Sequence, residues 1–169
     1  LYLGNRWVLT AWHVYSNDHP TQVRFGSTWY NLEPTSWTRI TNATGTYADM
    51  VLVRTTTTPP LPDVTLRSLP IPNNASLVMI GNGRQRHPTN SYWTADWQET
   101  NAAEAVYTGF KMTAGLLQQR WGVNTIDNAY KSVNVSDGFY MVTTTAFRVT
   151  FDQGAGDNEA QAVVGDSGG

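Results

Sequence analysis

Short apolar runs broken by turn residues dominate the first third of the chain. Trp7 to Ala11, Gln22 to Phe25, Thr28 to Leu32, Trp37 to Thr41 and Met50 to Arg54 are four to five residues each, β-branched or aromatic, and bounded by Asn, Asp, Gly, Pro or Ser. Such runs suit strands, whose side chains alternate between faces, and no helical periodicity competes with them. From Thr55 to Asn74 the pattern breaks: five of the eight prolines fall in these twenty residues. Proline denies a central strand its hydrogen bonds and favours an extended connector. Strand-like runs then resume at Leu77 to Ile80, Tyr92 to Trp97, Ala105 to Phe110, Phe139 to Thr145 and Phe147 to Phe151. Lys111 to Arg120, interrupted by Gly115, fits either one short helix or an irregular loop. The pattern predicts an all-β chain of barrel or sandwich type. Its parts are a first barrel over 1–54, a linker over 55–75 and a second barrel over 76–169.

Composition narrows the class. A chain of 169 residues, 40% apolar and 12% aromatic, has enough material for one large or two small cores. A net charge of −2 argues against nucleic acid or an anionic membrane as the main partner. No run of 18 apolar residues is present, so no transmembrane helix is expected. The absence of cysteine excludes disulfides, a thiol nucleophile and a Cys-based zinc site. Leu1 reads as an internal start, with neither initiator methionine nor signal peptide. The sequons at Asn42, Asn74 and Asn134 would matter only in a eukaryotic secretory route.

The chemistry concentrates in Gly165-Asp166-Ser167-Gly168-Gly169. A serine hydroxyl attacks a carbonyl well only when a base takes its proton and N–H donors receive the oxyanion, and glycines let backbone and substrate come close. At average residue usage such a pentamer arises by chance in about one chain of this length in several thousand, so it weighs more than a Gly-rich turn with an exposed serine. The same letters satisfy the nucleophile elbow of α/β-hydrolases, but that fold needs its Asp and His after the serine. Candidate partners instead lie upstream, where Trp7 to Ala11 runs into Trp12-His13 and Asp49 precedes the apolar Met50 to Val53.

With these three motifs in the order His, Asp, Ser, the chain resembles the chymotrypsin/trypsin-like serine peptidases. That family carries a hydrophobic strand ending in Thr-Ala-Ala-His, an Asp before an Ile/Leu-rich strand, and Gly-Asp-Ser-Gly-Gly-Pro. The likeness covers about 25 residues, with support from the strand-into-glycine Val78-Met79-Ile80-Gly81. It implies a double six-stranded β-barrel, incomplete here at both ends, and a serine endopeptidase acting on protein or peptide substrates without cofactor or metal. His13 would be the general base, Asp49 its orienting carboxylate and Ser167 the nucleophile; the N–H groups of Gly165 and Ser167 would form the oxyanion hole. Asp166 would fix the nucleophile loop. Without cysteines, which animal members use freely, the resemblance implies a bacterial enzyme, secreted or periplasmic.

By the family's spacing, the residue six before the nucleophile lines the primary specificity pocket, and Gln161 stands there. A neutral amide gives no partner to a substrate Lys or Arg, so trypsin-like cleavage is not expected. The separations of 49 − 13 = 36 and 167 − 49 = 118 residues imply a compact first barrel and an insertion between Arg84 and Val135. Trp12 stands where the family usually has Ala, beside the cleft. The fragment itself would be poorly active or unstable. Two other readings use the same residues: a non-catalytic homologue acting as a binding module, and an esterase.

Other patterns carry less. Gly81-Asn82-Gly83 lacks the third glycine and following helix of a dinucleotide site. Asp152, Asp157, Asn158 and Glu159 do not match EF-hand spacing and read as a solvated acidic loop. His19 and His87, each before proline, read as turn residues, and Arg84 with Arg86 as a small basic spot.

Overall fold

The computed structural model describes the chain except residues 43–44, 69, 114, 116, 137–140, 153–155, 157–158, 164–165 and 167–169, and the side chains of 129–131, 135–136 and 142. Twelve strands and one short helix are found among the described residues, making the chain all-β. The strands form one four-stranded sheet and four two-stranded ones, and none of these closes into a barrel. Two compact units are present: Leu1–Ala75 with Ile126–Arg148, and Ser76–Thr125 with Val149–Asp166. Residues 55–75 therefore group with the first unit.

The first unit is built on an antiparallel sheet in the order β1 (Tyr2–Gly4), β2 (Trp7–Thr10), β6 (Tyr47–Arg54), β5 (Thr38–Thr41). Asn5 and Arg6, at φ 46 and 69, turn β1 into β2; two central residues of positive φ match the right-handed twist of the strands they join. Arg6 is held there by Glu33, Nη1 to Oε1 2.6 Å, and by the carbonyls of Thr55 and Thr56, each at 3.3 Å. The hairpin of β3 (Gln22–Phe25) and β4 (Thr28–Asn31) turns at Gly26, whose φ of 60 suits glycine. Tyr2, Val8, Leu32, Val51 and Val53 form the buried core, with Trp12, Tyr15, Val23 and Phe25 packed against it. In β6 the buried Val51 and Val53, two residues apart, share one inward sheet face; Ala48, three residues before Val51, is buried out of that alternation, where the β5–β6 register shifts.

Two features of this unit differ from the expected pattern. Trp12–Asp18 is a helix, α1, not a continuation of the preceding strand. Seven residues make only two turns, too few for a 3.6-residue period to stand out. Ala11 enters it in extended conformation, and His19, left-handed at φ 41, ends it with its N–H on the Tyr15 carbonyl before Pro20. The second difference is a hairpin of β11 (Asn128–Ser136) and β12 (Met141–Arg148), in which β12 spans residues expected to divide between two strands. Asn42 anchors it to the unit, donating from Nδ2 to the Thr143 carbonyl at 2.5 Å.

In the second unit β7 (Ser76–Gly81) pairs antiparallel with β10 (Arg120–Thr125), and β8 (Ser91–Trp93) with β9 (Tyr107–Gly109). Lys111 to Arg120 contains no helix among its described residues. Asn124, buried on β10, donates to the carbonyls of Thr150 at 3.0 Å and Ala160 at 2.7 Å. One amide thus ties two points of the later chain to the sheet.

Candidate active site

In the first unit the sheet places His13 and Asp49 together. β2 delivers the chain to α1, whose second residue is His13, and β6, hydrogen-bonded to β2 with Thr10 opposite Val51, carries Asp49. The first backbone N–H groups of a helix have no partner within it. Ala11 offers no side-chain cap and the first turn of α1 holds no acid. Asp49 fills that role from the neighbouring strand, its Oδ1 accepting the backbone N–H of His13 at 2.9 Å. Its Oδ2 lies 2.6 Å from His13 Nδ1.

A carboxylate gripping both the main chain and the ring of one residue leaves the imidazole little freedom. A carboxylate only accepts, so in the neutral imidazole this contact favours the tautomer with its proton on Nδ1 and its lone pair on Nε2. His13 Nε2 has no hydrogen-bond partner among the described residues. The side chains are 32% and 19% exposed, so the pair is sheltered without being sealed from solvent. Such an imidazole is equipped to take a proton from a hydroxyl. Ser167 and Gly165, which the sequence analysis assigns as nucleophile and oxyanion-hole donor, lie outside the described residues.

Aromatic rings surround α1. Trp12, Tyr15 and Trp37 form a triangle with centroids 5.5 to 6.2 Å apart. The Arg39 guanidinium lies 4.8 Å from the Trp12 ring and 4.7 Å from that of Tyr47, a cation over two π-faces. Burial pushes the Tyr15 hydroxyl above its ordinary pKa of 10.0. The sequence marked Trp12 as a departure from Ala; the triangle around it brings together residues 25 apart, with no local signal.

Searches against protein-family models, curated proteins and solved structures find no match for this chain.

Gln161 and Asp166 lie in the second unit, on the wall of a cavity of about 400 Å³. Asp166 Oδ2 accepts the Val163 N–H at 2.8 Å. Its carboxylate fills the space over Gly81 and Gly83, where a methyl group on either residue would collide with it. The Gly81-Asn82-Gly83 run thus has a packing reason in the carboxylate it admits, a relation that spacing alone does not reveal.

His19 caps α1, and His87 Nδ1 is bonded to the Thr89 hydroxyl at 2.8 Å. Glu159 Oε2 accepts the Asp152 N–H at 2.8 Å; Asp157 and Asn158 lie outside the described residues. No group of three His, Asp or Glu suited to a metal occurs among the described residues. Among the described residues no helix is long and apolar enough to cross a membrane.

Proposed function

We propose that the chain is a serine endopeptidase of the chymotrypsin/trypsin-like kind, acting outside the cytoplasm of a bacterium on protein or peptide substrates. The observation that carries this reading is the two-point grip of Asp49 on His13, with Oδ2 at 2.6 Å from Nδ1 and Oδ1 at 2.9 Å from the backbone nitrogen. The Oδ1 contact caps α1 and fixes the main chain at His13, and the Oδ2 contact orients the ring, an arrangement that supports a base with a free Nε2. The order of the three motifs and the all-β sheet that joins β2 to β6 support the finer fold, a pair of barrels.

In this mechanism His13 Nε2 takes the proton of Ser167 Oγ as that oxygen attacks the scissile carbonyl. The proton then passes to the leaving amine, and the acyl group rests on Ser167 until water, activated by the same imidazole, releases it. Asp49 keeps Nδ1 protonated and stabilises the imidazolium formed on the way. The N–H groups of Gly165 and Ser167 receive the oxyanion, where the loss of one donor costs about 3–4 kcal/mol of barrier.

Fluorophosphonate labelling tests the assignment. The adduct is expected on Ser167 by mass spectrometry, absent in Ser167→Ala and strongly reduced in His13→Ala. A folded wild-type protein that takes no label would turn the reading toward a binding module; turnover of esters but not amides would turn it toward an esterase.

A further inference from the structure

The cavity in the second unit holds more positive than negative side chains: Arg84, Arg86 and Arg120 against Glu159 and Asp166. Both carboxylates are engaged by the backbone of their own segment, Glu159 by the Asp152 N–H and Asp166 by the Val163 N–H. Arg120 is committed too, donating from Nη2 to the carbonyls of Gly83, at 3.0 Å, and of Arg84. Arg84 and Arg86 remain; neither forms an ion pair with a described residue. Gln85 between them hydrogen-bonds the Gln118 amide. Arg86 lies 5.0 Å over the Phe110 ring, which leaves the edge of its planar guanidinium free to donate. Phe110 packs edge-on against Phe151 at 6.1 Å, so an apolar wall adjoins the two cations.

We propose that this cavity receives an acidic side chain of the substrate, glutamate above all, its carboxylate held by Arg84 and Arg86 and its methylene stem against Phe110 and Phe151. Gln161, a neutral neighbour on the same wall, adds an amide donor and no opposing charge. A volume of about 400 Å³ falls within the range of small-molecule sites and exceeds the needs of one side chain, leaving room for water around the carboxylate. The inference rests on the peptidase reading for its role, because the wall of the cavity runs to Asp166, the residue before Ser167.

The test uses the full-length protein and peptides of one sequence, acetylated and amidated, that differ only in the residue before the scissile bond: Glu, Gln, Phe or Arg. Blocking both termini makes the side chain the sole new carboxylate. Charge-assisted hydrogen bonds of this kind predict kcat/KM for Glu about 10- to 100-fold above Gln, its uncharged isostere. The Glu-to-Gln ratio is expected to fall to about 1 in Arg84→Gln/Arg86→Gln and to persist in Arg84→Lys/Arg86→Lys. Equal rates on Glu and Gln in the wild type overturn the proposal, and so does a ratio that survives the Gln substitutions. Should the double Gln variant fail to fold, the wild-type ratio decides. Hydrolysis of none of the peptides removes the peptidase reading instead. Calorimetric titration with acetyl-glutamyl amide then decides the cavity by itself: binding lost with the two arginines retains the anion site, and no binding discards it.

Discussion

Both units of this chain leave large apolar side chains exposed, Leu66 and Met141 in the first among them, but they differ in what they bury. Among the described residues the buried apolar side chains, Tyr2, Val8, Leu32, Ala48, Val51, Val53 and Ile126, all belong to the first unit. In the second, Val78, Ile80, Trp97, Val106 and Trp121 each stand more than half exposed. Ile80 and Trp121 even face each other across the β7–β10 pair, 71% and 73% exposed. The dyad sits on the unit with the core. Asp49 follows Ala48, 2% exposed, and precedes Val51, fully buried, so its backbone is fixed on both sides by packing. The cavity sits on the other, where Asn124 and Arg120 donate to backbone carbonyls and Asp166 accepts a backbone N–H. Proton transfer tolerates little misplacement, so a base gains from a packed support.

The sharpest way to separate the two is to disable the first unit's chemistry without unfolding it. Asp49→Asn keeps the size of the side chain but offers an N–H where His13 Nδ1 needs an acceptor, favouring the wrong tautomer. A loss of about 10⁴-fold in kcat is expected, with the fold retained by circular dichroism. Activity within tenfold of wild type would mean that the 2.6 Å contact is structural and the dyad does no catalysis.

The core comparison predicts a smaller, thermodynamic effect. Val51→Ala removes two buried methyl groups and is expected to cost about 2–3 kcal/mol in urea unfolding. Ile80→Ala, at an exposed position, is expected to cost less than about 0.5 kcal/mol. Similar costs at both sites would show that Ile80 is covered in solution by something its exposure does not reveal.

What the sequence made legible follows the same division. Strand β3 was readable residue for residue, and β2, β4, β5 and β7 within a residue or so, because their side chains alternate or cluster between turn formers. Strand β6 begins three residues before the expected Met50, so Asp49 lies inside the strand and not ahead of it. Strand β11 was missed: Val133 and Val135 alternate with Ser132, Asn134 and Ser136, but Lys131 interrupts that apolar side and leaves only a short pattern, which becomes a strand through its pairing with β12. Helix α1 was missed for its shortness. Motif order singled out His13 and Asp49, and the structure puts their side chains in contact. Nothing local, however, shows that Asp49 also caps α1, since the N–H it satisfies lies 36 residues away. Arg84 and Arg86 were visible as a basic spot; that Arg86 lies over Phe110 and that Asp166 is engaged by the Val163 N–H depend on tertiary contacts with no local signal.

Asn124 tests how the second unit manages without an apolar core. Its replacement by Ala leaves the Thr150 and Ala160 carbonyls without their donor, and a cost of about 1–2 kcal/mol is expected. Because residue 160 leads directly into Gln161, the glutamate preference should weaken before global stability does. A variant destabilised to this extent but unchanged in its Glu-to-Gln ratio would show that the cavity wall is held from elsewhere.

The smallest effect belongs to the first unit at high pH. Burial beside Trp12 and Trp37 raises the pKa of the Tyr15 hydroxyl above 10.0, so the folded state disfavours its ionised form. The sign follows from linkage. A group whose pKa is higher in the folded than in the unfolded state contributes its full stability below the unfolded pKa, and loses it as pH rises through the folded one. Tyr15→Phe cannot ionise, so the difference in unfolding free energy between variant and wild type should be constant up to about pH 9 and then shift in favour of the variant. Parallel curves across that range would mean that the hydroxyl reaches water in solution, and that the aromatic triangle beside His13 is looser than the core it rests on.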